Sequence, residues 1–206
     1  RVINMYPRVV IDLDKLKHNC LKITEYSKSN GIDVIMPVVK VVAGDLTVAN
    51  LFLDCGFKYL GDSRLKNLKI YKDLPVKKLL VRVPSISEVK DVISYSNIGL
   101  VSEIETVKAL DLEAKRQNKK YEIIFMFDLG DLREGIFYKD DYINEVGKII
   151  SLENIVFKGI GTNLTCYGGV VPSRKILNRL IDIKYNIENT FKIKLDIISG
   201  GNSSSV

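Results

Sequence analysis

Apolar residues fall into two alternating kinds of stretch, short continuous runs and longer segments in which they recur every three or four residues. That is the mark of strands interleaved with amphipathic helices. Val9-Val10-Ile11 is the first run, and Leu16, Cys20 and Ile23 then recur at helical spacing up to the stop signal Asn30-Gly31. Asp33 to Lys40, rich in Val and Ile, reads as a second strand. Asp45 is placed to cap a helix through Leu46, Ala49, Leu51 and Leu53 to Gly56, followed by a strand at Tyr59-Leu60-Gly61 and a helix from Leu65 to Tyr71. The alternation continues with a strand over Lys78 to Val83 and a capping box, Ser85-Ile86-Ser87-Glu88, that opens the next helix. After a strand at Ile98 to Val101, Ser102 and Glu105 form a second capping box for a helix reaching about Asn118. Strands at Tyr121 to Asp128 and Ile155 to Gly161 flank a helix from about Asp141 to Leu152. A helix begun near Pro172-Ser173 carries Ile176, Leu180, Ile183 and Ile187 on one face and precedes a strand at Leu195 to Ser199. The pattern predicts eight strands.

Strands this short, apolar on both sides and separated by helices, pair in parallel with the helices outside. The leading architecture is an α/β fold, a TIM-like (β/α)8 barrel. A doubly wound open sheet competes with it, but no strand-to-helix turn carries the GxGxxG fingerprint of dinucleotide binding, and no GxxxxGK[ST] sequence is present. With 206 residues, 46% hydrophobic and 27% charged, residues 1–206 read as one domain. The run from Ile32 to Ala43, broken by Asp33, Pro37 and Lys40, is too short for a bilayer, which requires about 20 apolar residues. The opening Arg1-Val2-Ile3-Asn4-Met5 lacks the apolar core of a secretory signal, so a cytoplasmic protein is expected.

Charge and cysteine usage narrow the chemistry. The net charge is +6, but the lysines are scattered at helix-surface spacing, which argues against a nucleic-acid partner. Cys20, Cys55 and Cys166 form an odd set without CxxC spacing, so neither a disulfide framework nor a metal site is expected. The one histidine, His18, lies among Lys15, Lys17 and Lys22 on a polar helical stretch. Acid and base must come from other residues.

In a parallel barrel, chemistry sits on loops at the carboxyl ends of the strands. Lys40 ends the run Ile35-Met36-Pro37-Val38-Val39. If buried, its amine is desolvated and becomes a nucleophile toward a carbonyl; alternatively it is a strand-end lysine that reaches solvent. After the next long strand comes Asp128-Leu129-Gly130-Asp131-Leu132-Arg133-Glu134-Gly135, in which Arg133 offers a planar donor to an anionic oxygen or else pairs with Asp128 or Asp131. Gly161 to Gly169 brings amide, hydroxyl, thiol and phenol groups, and Ser199 to Ser205 exposes backbone N–H groups and hydroxyls suited to a phosphate. Lysine, arginine and a phosphate cradle on strand ends together describe a site for pyridoxal phosphate.

Val38-Val39-Lys40, the pattern D-x-G-x-x-R-x-G at Asp128 to Gly135, Gly159-Ile160-x-Thr162 and Gly201-Asn202-Ser203 resemble the amino-terminal barrel of alanine racemase, a fold type III pyridoxal phosphate enzyme. Tyr6-Pro7-Arg8 with Ile11-Asp12-Leu13, Gly61-Asp62-Ser63-Arg64 and Gly159 to Gly169 are similar to the alanine/ornithine racemase branch. The resemblance covers essentially the whole chain. It implies that Lys40 holds pyridoxal 5'-phosphate as an internal aldimine and is one catalytic base, and that Arg133 contacts the phenolate oxygen. It implies further cofactor contacts from Asn163, Asn202, Ser203 and Ser204, and substrate contacts from Tyr167 and Arg64. The implied activity is racemisation of ornithine or another basic or small amino acid, in a homodimer. A non-catalytic pyridoxal phosphate homeostasis protein and a fold type III decarboxylase, aldolase or dehydratase are the alternatives. The resemblance also moves Val9 to Ile11 out of the barrel, leaving seven barrel strands, without the eighth strand and the carboxyl-terminal β-domain that supplies the second base from a partner subunit. Ala43 and Asn163 replace a phosphate-binding tyrosine and a ring-stacking histidine of alanine racemase, which argues against simple alanine racemisation.

Overall fold

A computed structural model describes residues 7–165 and 169–205, with Ser204 described by its backbone alone. Helix α1 (Leu13–Ser29) is capped by Asp12, whose carboxylate accepts the Lys15 N–H. Helix α2 (Leu46–Asp54) is capped in the same way by Asp45 through the Val48 N–H at 2.9 Å. Then follow β1 (Tyr59–Asp62), α3 (Leu65–Ile70), β2 (Lys77–Leu80), α4 (Val89–Tyr95), β3 (Ile98–Val101), α5 (Ile104–Arg116) and β4 (Tyr121–Asp128). The chain continues through β5 (Ile136–Phe137), α6 (Tyr142–Ile150), β6 (Ile155–Gly161), α7 (Arg174–Phe191) and β7 (Ile197–Ser199).

The strands pair in parallel in the order β1-β2-β3-β4-β6-β7, with the short β5 beside the end of β4. The sheet curls into a half-barrel with helices on its outer face, the architecture expected from the alternation. Alternation inside β4 shows the two layers. Ile123, Phe125 and Phe127 join the core beneath the helices, with Leu110, Val146, Leu180, Ile183 and Ile187. Ile124 and Met126 pack on the inner face with Leu79, Ile98 and Leu100. Both faces of the strand are buried, as parallel strands require.

Several expected boundaries shift for physical reasons. Val9 to Ile11 is no strand: Val9 and Val10 are 89% and 76% exposed, and strand propensity without a pairing partner does not form sheet. Asp33 to Lys40 touches the sheet only at its end, where Val38 bridges Gly61. Ser85 and Glu88 do form the capping box, but it opens a 3-10 turn at Ile86–Glu88 before α4. Ser102 does not cap α5; Glu103 occupies that position, and the Ser102 hydroxyl is buried without a partner. The last strand is shorter than expected, starting at Ile197.

The two ends of the sheet differ in charge pairing. At the amino ends Lys77 pairs with Glu122 at 2.7 Å and Lys158 with Asp196 at 2.7 Å, so these charges satisfy one another. Among the described residues no group of His, Cys, Asp and Glu could hold a metal, and no helix is long and apolar enough to cross a membrane.

Candidate active site

Parallel pairing puts the carboxyl ends of every strand on one edge, and the polar residues there form the candidate site. At the first edge the Gly61 N–H donates to Pro37 O and the Val39 N–H to Gly61 O, both at 2.8 Å. Val39 is buried, and the chain then leaves the sheet in a 3-10 turn at Lys40–Val42 that ends on left-handed Ala43. Lys40 is therefore exposed, with no hydrogen-bond or ion-pair partner for its amine among the described residues. The strand-end reading of Lys40 holds and the desolvated one does not.

Beside it, at the end of β1, Asp62 is wholly buried. Its carboxylate accepts the Arg64 N–H at 2.8 Å and the Asn67 side-chain amide at 3.1 and 3.2 Å, which builds the turn into α3. The Arg64 guanidinium is exposed and makes no hydrogen bond or ion pair among the described residues. At the end of β2, Arg82 donates Nε to Ser63 O at 2.8 Å and grips Glu88 in a two-pronged pair, Nη2 to Oε1 at 2.7 Å and Nη1 to Oε2 at 2.9 Å. The guanidinium and the Ser85 donors hold the Glu88 carboxyl at about 2, against burial.

The other half of the cluster lies around β4, β6 and β7. Asp128 accepts the N–H groups of Gly130 at 2.7 Å and Leu132 at 3.2 Å, folding the block Asp128 to Gly135 back on itself. Gly135 closes it at φ +111, where a Cβ would lie 2.7 Å from Asp128 N and Met126 O. Arg133 pairs with Glu134 rather than with Asp128 or Asp131; its Nε lies 3.6 Å from Glu134 Oε1. The same oxygen accepts Asn163 Nδ2 at 2.6 Å. Next to Asn163, Thr162 donates its N–H to Ser199 O at 3.0 Å, and Gly201 at φ +97 would press a Cβ to 2.7 Å from Thr162 O. Asn202 Nδ2 donates to Leu164 O at 2.6 Å, and Ser203–Ser205 forms a 3-10 turn closed by Ser205 Oγ to Gly200 O at 2.7 Å.

The sequence-derived residues thus fall in two groups on one edge of the sheet. Arg133, Asn163 and Asn202 are tied together through Glu134, Leu164 and Gly201. Lys40 and Arg64 share the β1 edge. Ser203 is exposed on its turn, while Tyr167 and the side chain of Ser204 lie outside the described residues. Sequence reading missed Glu134 as a partner and took Ser102 for a cap; Ser102 Oγ is instead buried without a hydrogen-bond partner, as is Oγ1 of Thr162 in the Gly159-Ile160-x-Thr162 pattern. An acid directly after Arg133 was the available signal for Glu134; the hydroxyls left none beyond their place at strand ends. Buried donors without partners are costly, and hydroxyls with a guanidinium and an unengaged amine make a donor set that fits an aldehyde bearing a phosphate.

The pattern of the family described as "Alanine racemase, N-terminal domain" matches residues 11–206. The chain belongs to this family. It is 44% identical over 202 residues to ornithine racemase of Acetoanaerobium sticklandii, covering 98% of this chain and 57% of that protein. It is 32% identical over 204 residues to lysine racemase of Thermotoga maritima, covering 98% and 56%. The chain therefore spans little more than half the length of these relatives. Among solved structures, D-threo-3-hydroxyaspartate dehydratase from Delftia sp. HT23 shares the fold with a TM-score of 0.79 at 15% identity, over 98% of this chain and 56% of that one. The alanine racemase N-terminal family thus accounts for the half-barrel.

Proposed function

We propose that the chain is the cofactor-binding barrel of a pyridoxal phosphate-dependent amino-acid racemase. The observation that carries this reading is the placing of Lys40, Arg133 with Asn163, and the Ser203–Ser205 turn on a single carboxyl edge. Pyridoxal phosphate, when bound, supplies an electron sink that acidifies the α-proton of an attached amino acid. Lys40 is the residue for covalent attachment, because an amine leaving the sheet edge on a short turn can reach a carbonyl and can afterwards carry a proton. Arg133 is the donor to the phenolate oxygen, with Asn163 beside it; Asn202, Ser203 and Ser204 serve the ring and phosphate, and Arg64 and Tyr167 the substrate.

Inversion requires a second proton-transfer group on the opposite face. The family resemblance puts that group in a carboxyl-terminal domain of a partner subunit, so we assign residues 1–206 to the barrel and the working enzyme to a homodimer. A basic amino acid, ornithine foremost, is the substrate class favoured by likeness to the ornithine and lysine racemases. The free thiols of Cys20 and Cys55 support a reducing, cytoplasmic setting.

The test is borohydride reduction of the protein mixed with pyridoxal phosphate, with peptide mass mapping. Cofactor mass on Lys40, lost in Lys40→Ala, is the expected result; cofactor mass on another lysine, or none, overturns the assignment. Incubation with ornithine in heavy water then separates the reactions. Exchange of the α-proton with inversion supports racemisation, carboxylate loss points to a decarboxylase, and bound cofactor without exchange points to a carrier.

A further inference from the structure

Glu134 is the acid in contact with two of the residues assigned to the cofactor. Its side chain is 13% exposed, its Oε1 accepts Asn163 Nδ2 at 2.6 Å, and the same oxygen lies 3.6 Å from Arg133 Nε. Its backbone is held on the carboxyl side. Gly135 fits against β4 where no side chain could, and Ile136 and Phe137 pair with Phe127 and Asp128. On the other flank of Asn163, Gly201 leaves room that a side chain would take, since a Cβ there would stand 3.4 Å from Asn163 Oδ1.

The chemistry of the groups gives this arrangement a direction. An asparagine amide can present either its oxygen or its nitrogen to a neighbour, whereas an ionised carboxylate is an acceptor only. A glutamate at position 134 therefore selects the orientation in which Nδ2 faces it, and Oδ1 is turned to the opposite edge. At 3.6 Å the Arg133 Nε makes an ion-pair contact with this carboxylate rather than a hydrogen bond, so Glu134 holds the guanidinium alongside by charge.

We propose that Glu134 is a positioning residue of this site, setting the orientation of the Asn163 amide and keeping the Arg133 guanidinium beside it by charge, the two groups that together meet the cofactor ring. The proposal rests on the pyridoxal phosphate reading above. Glu134 touches neither cofactor nor substrate; it acts through its two neighbours. A glutamine of the same shape can accept or donate, so it releases the choice of orientation without opening a cavity.

The experiment uses Glu134→Gln, Asn163→Asp and the double exchange, each titrated with pyridoxal phosphate, with the absorbance band of the lysine-bound cofactor and the thermal midpoint recorded. Glu134→Gln is expected to weaken cofactor affinity roughly tenfold and to displace the band while the thermal midpoint stays near that of the parent. Asn163→Asp sets two carboxylates against each other and is expected to weaken affinity by roughly a hundredfold. In the double exchange the amide introduced at position 134 donates to the carboxylate introduced at position 163, and at least roughly tenfold of that loss should return. Parent-like affinity and band in Glu134→Gln, or a double exchange no better than Asn163→Asp, overturns the positioning role. Absence of any lysine-bound band in the parent overturns the cofactor reading, and this proposal with it.

Discussion

The Arg82 and Glu88 pair closes the loop after β2, from which Arg82 also reaches Ser63 O in the loop after β1, and its strength can be read from its response to acid. Glu88 sits at about 2 instead of its ordinary 4.5, chiefly because Arg82 binds its ionised form. Taken at face value that displacement is worth about 3 kcal/mol. The two side chains are 34% and 36% exposed, however, so solvent screens the pair and about 1 kcal/mol is the working figure. The sign follows from the depressed carboxyl. The stabilisation is fully present above the unfolded value of 4.5 and disappears as pH falls toward about 2. Glu88→Gln removes the charge while keeping the shape. Urea unfolding of parent and variant from about pH 7 down to about pH 3 should give a gap of about 1 kcal/mol at neutral pH, equivalent to about 2–4 °C in melting temperature for a chain of this size. The gap should narrow steadily below about pH 4.5 as Glu88 protonates in the unfolded chain. A gap that stays constant across that range would refute the electrostatic account and leave packing as the cause.

Two further substitutions test the scaffold. The buried Tyr121 hydroxyl lies 2.8 Å from Ser96 Oγ, which donates in turn to Val92 O at 2.7 Å, so Tyr121 is the donor of the pair. Tyr121→Phe should cost about 1 kcal/mol by urea unfolding. Burial raises the Tyr121 phenol, so it stabilises the neutral form, and parent stability should fall above about pH 10 through a contribution the phenylalanine variant lacks. An unchanged alkaline limb would contradict that burial. Gly135→Ala forces a side chain into backbone at φ +111 and should cost about 3 kcal/mol or more while loosening the loop that carries Arg133. Parent-like thermal stability in that variant would show that β4 and the loop can separate freely.

Much of the scaffold is legible from local chemistry, because Asp45 and Ser173 do cap α2 and α7 and the alternation inside β4 does bury two faces. What failed depended on partners that spacing does not encode. Val9 to Ile11 has strand-like residues and no neighbour to pair with among the described residues, while Ile136–Phe137 forms a strand directly after the block that reads as a ligand loop, because the end of β4 lies beside it. Lys40 and Arg133 stand out in the sequence because each follows an apolar run. The bond from Asn163 to Glu134 spans 29 residues and exists only because β4 and β6 are neighbours, so no local pattern announces it.

The fate of the acids on the carboxyl edge then limits what this site can receive. Asp62 is engaged by Arg64 N–H and Asn67, Glu88 by Arg82, and Asp128 by Gly130 and Leu132. Asp131 takes the Val170 N–H at 3.1 Å, and Glu134 takes Asn163. Each of these carboxylates holds a loop or a side chain in place, and Asp131 also keeps its second oxygen buried without a hydrogen-bond partner. The donors on the same edge are cationic or neutral: the Lys40 amine, the Arg133 guanidinium and the hydroxyls of Ser102, Thr162 and Ser203. Hydrogen bonds from neutral N–H groups leave those carboxylates charged, so the edge carries both signs, and an anion is received by where the donors lie rather than by an excess of positive charge.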